Sequence, residues 1–99
     1  MVHRLAQYRV RPDKVEDVKQ IVAEFVRAIA AHEPHTIYHA YQAEDHVSFL
    51  HVMTFPNEAA EEAHSTAPYT ERFATALYPV CEAGPFFTHY SLVQGTGRP

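Results

Sequence analysis

Residues 36–55, TIYHAYQAEDHVSFLHVMTF, hold two segments rich in β-branched and aromatic residues on either side of a short polar link. Such composition favours strands, and the link at residues 44–46 is short enough to join them as a hairpin. We therefore predict strands over residues 36–43 and 47–55. Alternation in the second strand gives one face four side chains, which are Phe49, His51, Met53 and Phe55.

The segment before the hairpin predicts an amphipathic helix. Asp13 with Glu16 three residues later has the form of a capping box, and Pro34 ends the helix. Before the helix, residues 2–10 alternate in a way that predicts a strand with partial cover on both faces. The apolar stripe of the helix recurs at spacings of three and four and consists of Val15, Val18, Ile21, Val22, Phe25 and Ile29.

The segment after the hairpin predicts a broken helix and a last strand. Asn57 can cap a short helix over residues 58–65, and Pro68 restarts a helical pattern. The Gly84-Pro85 pair then precedes a strand over residues 86–93.

The resulting order, βαββαβ, predicts an α+β, ferredoxin-like fold with a four-stranded antiparallel sheet and helices on one face. We expect a single domain over residues 1–99, with an ordered core over 2–93 and a C-terminal tail over 94–99. The uncovered sheet face would carry either Leu50 and Val52 or the opposite set of side chains. A domain this small buries such a patch, so the pattern predicts a homodimer that pairs sheet to sheet.

Composition narrows the classes of function. The 99 residues are 46% hydrophobic and carry a net charge of −4 without a basic cluster, which disfavours a nucleic-acid partner. No apolar run approaches the ~18 residues of a membrane span, and the N-terminal residues show no signal-peptide pattern. The single cysteine suits a reducing compartment, so we expect a cytoplasmic protein.

Two histidines are candidates for chemistry. His51 is flanked by apolar side chains, and the loss of hydration would keep it neutral and able to accept a proton. His64 lies at the edge of a helix face made of alanines, where it could point into a cleft along the sheet. The alternative is that both are unrelated polar residues at packing borders. Zinc and iron sites require three or more ligands. No sequence pattern places His89 beside these two histidines, so no metal is expected.

Several segments together resemble the antibiotic biosynthesis monooxygenase superfamily. They are residues 33–37, 48–51, 55–64 and 77–81, with Pro68 and Phe73 between them. The members are small dimeric α+β barrel proteins that include quinol monooxygenases, and the resemblance covers roughly residues 3–93.

The resemblance implies roles for three positions. His64 matches the helix histidine of the quinol monooxygenase-like members, whereas their acidic residue in the third strand falls at Met53 and a second histidine falls at Tyr69. Haem-degrading relatives use a tryptophan, and this chain has none, so haem oxygenation is disfavoured.

These features lead to one leading hypothesis and two rivals. The chain is expected to oxidise a small aromatic, quinol-like molecule with O2 in a pocket between sheet and helices, without metal, flavin or haem. His64 and His51 are the candidate catalytic residues, and Tyr38, Tyr41 or Arg9 could hold a substrate oxygen. A non-catalytic dimeric ligand-binding or accessory protein is the alternative, and an isomerase- or dehalogenase-like relative is a third. The expected substrate contacts are Tyr38, Tyr41, Phe49, Met53, Tyr69 and Phe73.

Overall fold

A computed structural model describes residues 1–97 and confirms the α+β, ferredoxin-like fold. The strands are β1 (Val2–Val10), β2 (Ile37–Gln42), β3 (Ser48–Phe55) and β4 (Cys81–Tyr90), and the helices are α1 (Val15–His32), α2 (Glu58–Ser65) and α3 (Pro68–Leu77). The strands pair antiparallel in the order β2-β3-β1-β4. The expected tail begins at residue 94; residues 94–97 lie outside every helix and strand, and residues 98 and 99 lie outside the described part of the chain.

The core lies between the helices and one face of the sheet. Phe49, His51, Met53 and Phe55 share one face of β3, as the period of two predicts, and the structure shows that this is the buried face, which the sequence left open. Strand β1 contributes its own alternate side chains, and α1 contributes the stripe that the sequence predicts. The buried residues of those two elements are Ala6, Tyr8, Val10, Val18, Phe25 and Ile29.

The capping box predicted at the start of α1 is wrong. Residues Pro12–Lys14 form a single 3-10 turn, and α1 begins after it with Lys14 as its N-cap and no side-chain cap. The proline ring favours a turn at this point, and the φ of Lys14 (−112°) separates that turn from the helix. The predicted cap of α2 is confirmed, because Asn57 Oδ1 accepts a hydrogen bond from the Ala60 N–H at 2.8 Å.

Strand β4 differs from its prediction at both ends. It begins at Cys81 rather than residue 86 and ends at Tyr90 rather than residue 93, so Gly84 lies inside the strand. The pairing register with β1 shifts twice between Gln7 and Val10, which accommodates an irregular backbone without ending the strand. Gly84 has φ +79°, and a Cβ there would lie 2.6 Å from the Gln7 carbonyl oxygen, so glycine is required.

The other sheet face is open and partly apolar. Val52 is 37% exposed on β3, and Phe86 is 64% exposed on β4. This face is the one that the sequence predicts to pair with a second copy, which stays a prediction. No helix within residues 1–97 is long and apolar enough to cross a membrane.

Candidate active site

An apolar cavity lies between the helix-covered face of the sheet and helices α1 and α3. Its volume is about 80 Å³, and apolar side chains make up most of its walls. Among them are Ala6, Phe25, Met53, Phe73, Leu77 and Phe87. A space of this size holds a few water molecules or part of a small organic ligand. The cavity therefore lies between the sheet and the helices, where the sequence predicts a pocket.

A larger groove adjoins this cavity. It measures about 330 Å³ and is bordered by Arg4 and Glu61, which form an ion pair at 2.6 Å. Met53, His64 and Thr70 border both the groove and the inner cavity. We therefore describe the groove as the mouth of the cavity, with the His64 imidazole where the two meet.

His51 forms the polar centre of the inner cavity. Its Nε2 lies 2.9 Å from the Tyr8 hydroxyl and its Nδ1 lies 2.6 Å from the Tyr38 hydroxyl, so both ring nitrogens are engaged. The three residues lie on adjacent strands, with His51 on β3 between Tyr8 on β1 and Tyr38 on β2. Antiparallel pairing places Ala6 and Ala40 opposite His51, and the two tyrosines lie two residues further along on the same face.

Burial fixes the protonation of this cluster. His51 is 1% exposed, and desolvation lowers its pKa from 6.5 to about 4, so the imidazole is neutral at pH 7. Desolvation likewise raises the pKa of the Tyr8 and Tyr38 hydroxyls, and the neighbouring charges add to the shift. All three groups are thus uncharged under physiological conditions.

His64 has a different partner. Its Nδ1 lies 2.8 Å from Oε2 of Glu33, and both side chains are less than a tenth exposed. The Tyr69 hydroxyl donates a second hydrogen bond of 2.5 Å to the same carboxylate oxygen. Burial, and then the bond to Glu33, raises the pKa of Tyr69, so its hydroxyl stays a donor.

The carboxylate sets the tautomer of His64. An acceptor at Nδ1 keeps a proton on that nitrogen, so in the neutral ring Nε2 carries the free lone pair. Within residues 1–97, this Nε2 makes no hydrogen bond. Aromatic rings hold the imidazole in place, with the Phe55 centroid at 5.1 Å and the Phe25 centroid at 5.7 Å. The pair can accept a proton at Nε2 and share the resulting charge with Glu33.

The structure brings together some of the predicted site residues. Both histidines line the cavity, and so do Tyr38, Met53 and Phe73. Tyr69 is linked to the site through Glu33 instead of through the cavity wall.

Three predicted residues lie elsewhere. Phe49 stacks on Tyr8 with centroids 5.3 Å apart and belongs to the core. Tyr41 is 54% exposed and pairs with Leu50 on the open face of the sheet. Arg9 points to that face as well, where its Nε lies 3.8 Å from Glu82. The alternation of β1 and β2 explains the positions of Arg9 and Tyr41, because odd-numbered residues of both strands face away from the helices.

Two residues of the site were missed by the sequence analysis. Tyr8 belongs to the alternating face of β1, where a tyrosine is indistinguishable from an apolar core residue. Glu33 precedes the proline that ends α1, and its partner His64 is 31 residues further along the chain. Its position in the segment that carries the family resemblance was the available signal. Among residues 1–97, no three metal-ligating side chains cluster together.

The fold is similar to that of several solved structures. A crystal structure described as an antibiotic biosynthesis monooxygenase has a TM-score of 0.86 at 18% identity, over 95% of this chain and 100% of that one. Rv0793 from Mycobacterium tuberculosis gives 0.86 at 13% identity, over 97% and 98% of the two chains. A conserved protein from Methanosarcina mazei Go1 gives 0.81 at 15% identity, over 90% and 89%. At these identities the likenesses show a shared α+β fold.

The sequence itself gives the family. Residues 1–76 match the family model described as antibiotic biosynthesis monooxygenase, so the chain belongs to that family, and the resemblance seen in the sequence is confirmed. No curated protein matches this sequence.

Proposed function

We propose that this protein is a cofactor-independent monooxygenase that oxidises a small aromatic, quinol-like molecule in the cavity. One observation carries the proposal: an imidazole oriented by a buried carboxylate lies where the apolar cavity meets its mouth. This arrangement combines a general base with a desolvated space for an aromatic ring, and the reaction needs both. Family membership supports the monooxygenase class.

His64 is the proposed base. A phenolic hydroxyl of the substrate would donate its proton to Nε2, and the Glu33 carboxylate would stabilise the imidazolium that forms. General-base help of this kind contributes about 10²–10⁴-fold to a rate. The carboxylate thus comes from the end of α1, whereas the family resemblance places an acid at Met53, which is buried in the cavity wall.

The proposed chemistry balances without a further reagent. The quinolate passes one electron to O2, and the semiquinone and superoxide combine into a peroxide with a new C–O bond. Cleavage of the O–O bond releases water and leaves a hydroxyquinone, so one oxygen atom of O2 enters the product and the other becomes water. The substrate supplies all the electrons, which is why an electron-rich aromatic ring is required.

His51 receives a positioning role in this proposal. Both of its nitrogens are occupied by tyrosine hydroxyls, and its lowered pKa of about 4 makes it a weak base at neutral pH. It would therefore hold Tyr8 and Tyr38 in the cavity wall instead of taking the substrate proton.

We also propose that the functional unit is a homodimer in the cytoplasm. The partly apolar open face supports self-association, because Phe86 and Val52 are exposed on it and a second copy would cover them. The single cysteine fits a reducing compartment.

The test is oxygen uptake by purified, metal-stripped protein given a panel of hydroquinones and anthrones. We expect uptake with at least one compound, and His64→Ala should lower the rate by tenfold or more because the base is lost. His35→Ala removes an exposed histidine outside the site and should leave the rate unchanged. Sedimentation checks that both variants keep the wild-type mass. Equal rates in His64→Ala and the wild type would refute the assignment.

A non-catalytic binding protein is the second candidate. It is favoured by Met53, which is buried in the cavity wall at the position of the family's acidic residue and can neither take nor hold a proton. In that case the panel would consume no oxygen, yet a member of it would raise the melting temperature. Activity restored only by Fe(II) or haem would instead point to a metal-dependent reaction.

A further inference from the structure

The cluster of Tyr8, His51 and Tyr38 has one more hydrogen-bond donor than it has hydrogen bonds. Neutral imidazole carries one N–H, and each phenol carries one O–H, which makes three donors. The cluster contains two hydrogen bonds, Tyr8 to Nε2 and Tyr38 to Nδ1. Among residues 1–97, neither hydroxyl has another partner. One hydroxyl hydrogen is therefore left over.

The tautomer of His51 decides which tyrosine holds the spare hydrogen. If Nε2 carries the ring proton, it donates to Tyr8, Tyr38 donates to Nδ1, and the Tyr8 hydrogen is free. If Nδ1 carries it, the Tyr38 hydrogen is free. Each of the three groups holds one hydrogen in both states, so the states differ only in which ring nitrogen of His51 carries its proton and in which hydroxyl hydrogen is free. No charge leaves the cluster.

The free hydrogen belongs to the cavity, since both tyrosines line it. Most of the other wall groups are hydrocarbon, and the polar ones, which are His64, the Thr70 hydroxyl and the weak sulfur acceptor of Met53, make no hydrogen bond to either tyrosine hydroxyl. A buried donor without an acceptor costs free energy, and a ligand that supplies the acceptor removes this cost. The missing partner is thus an acceptor oxygen on the ligand.

We infer that Tyr8 and Tyr38, coupled through His51, act as one shared O–H donor for a carbonyl or phenolate oxygen of the bound aromatic molecule. This inference rests on the proposed function, because it takes the cavity to be the ligand site. It assigns the two tyrosines as specificity determinants that select oxygenated rings over hydrocarbon rings. In the proposed reaction they would hold the substrate oxygen that does not face His64.

The test compares acetophenone with ethylbenzene, which differ by a carbonyl in place of a methylene. Titrations followed by NMR should show that the wild type binds acetophenone about fivefold more tightly, the ratio that one net hydrogen bond gives. Tyr8→Phe and Tyr38→Phe should each keep most of this preference, because His51 changes tautomer and the remaining hydroxyl stays free. The double variant should lose it. Tyr41→Phe removes an exposed hydroxyl on the other face and is the matched control.

A spectroscopic measurement keeps the inference testable if the double variant folds poorly. The infrared stretch of carbonyl-labelled acetophenone bound to the wild type should lie below its frequency in hydrocarbon solvent. An unshifted band, equal affinity for the two ligands, a preference that survives in the double variant or one that disappears in either single variant would each overturn the inference.

Neither measurement needs oxygen or turnover. A shifted carbonyl band without oxygen uptake would reject the proposed reaction and keep the donor pair. Oxygen uptake that depends on His64, together with an unshifted band, would reject the donor pair alone.

Discussion

The two histidines of the cavity differ in their partners far more than in their burial. His51 is 1% exposed and His64 is 6% exposed, yet the first is bound by two neutral hydroxyls and the second by a carboxylate. Burial keeps His51 neutral, and the two hydroxyls leave it without a free nitrogen. The carboxylate of Glu33 leaves His64 with a free nitrogen and a way to stabilise positive charge. Burial alone therefore does not define a base, whereas the charge of the hydrogen-bond partner does.

The largest expected effect on stability comes from removing His51, the histidine with neutral partners. His51→Leu leaves the Tyr8 and Tyr38 hydroxyls without partners, and we expect a loss of about 2–6 kcal/mol in the free energy of unfolding, at ~1–3 kcal/mol for each of the two buried groups. Denaturant titration measures it. Val52→Leu, on the exposed face of the same strand, should change stability little.

A triple variant separates the hydrogen bonds from the packing. Tyr8→Phe/His51→Leu/Tyr38→Phe removes every polar atom of the cluster, so most of the lost stability should return. A triple variant as unstable as His51→Leu would show that the shape of the imidazole, rather than its two bonds, stabilises the sheet.

Lowering the pH should destabilise the protein through the same residue, by slightly less than His51→Leu does. In the folded chain the pKa of His51 lies at about 4, below its ordinary value of 6.5. Between these values the unfolded chain binds a proton that the folded chain does not, so stability falls as the pH drops from 6.5 towards 4, by about 3 kcal/mol in total. Urea denaturation across this range should show the decline, and His51→Leu should lack this part of it. Equal pH slopes in the two proteins would contradict the assignment.

The smallest of the three effects is on the rate of oxygen uptake, and it comes from changing Glu33, the charged partner of His64. Glu33→Gln keeps an oxygen that can accept the Nδ1–H of His64 but removes the negative charge that stabilises the imidazolium. We expect the rate of oxygen uptake to fall about tenfold, or about 1.4 kcal/mol in activation free energy. Glu44→Gln, in the exposed hairpin link, is the matched control. A rate that does not change would leave His64 acting without its carboxylate.

The sequence predicts the fold because periodicity repeats over many residues. The alternation of β3 and the stripe of α1 both appear in the structure as expected. The predictions of local detail were wrong where one residue decides the outcome. At Pro12 the 3-10 turn displaces the start of the helix, and at Gly84 an irregular register keeps the strand intact.

The candidate site was predictable only in part. The period of two within one strand groups His51 with Phe49, Met53 and Phe55, but it does not say which face of the sheet the helices cover. The contact between His64 and Glu33 joins α2 to the end of α1, and no local pattern encodes it. Tyr41 was expected at the site because its type is right, but its parity within β2 places it on the opposite face.

The small volume of the inner cavity limits how much water can remain beside a bound ligand. A space of about 80 Å³ cannot hold an aromatic ring and a hydration layer together. Under the proposed function, binding of the ring would therefore expel water from the cavity in the same event, before any reaction with O2 begins. Enlarging the chamber would then admit bystander water beside the substrate, so that reactive oxygen species escape before they are used.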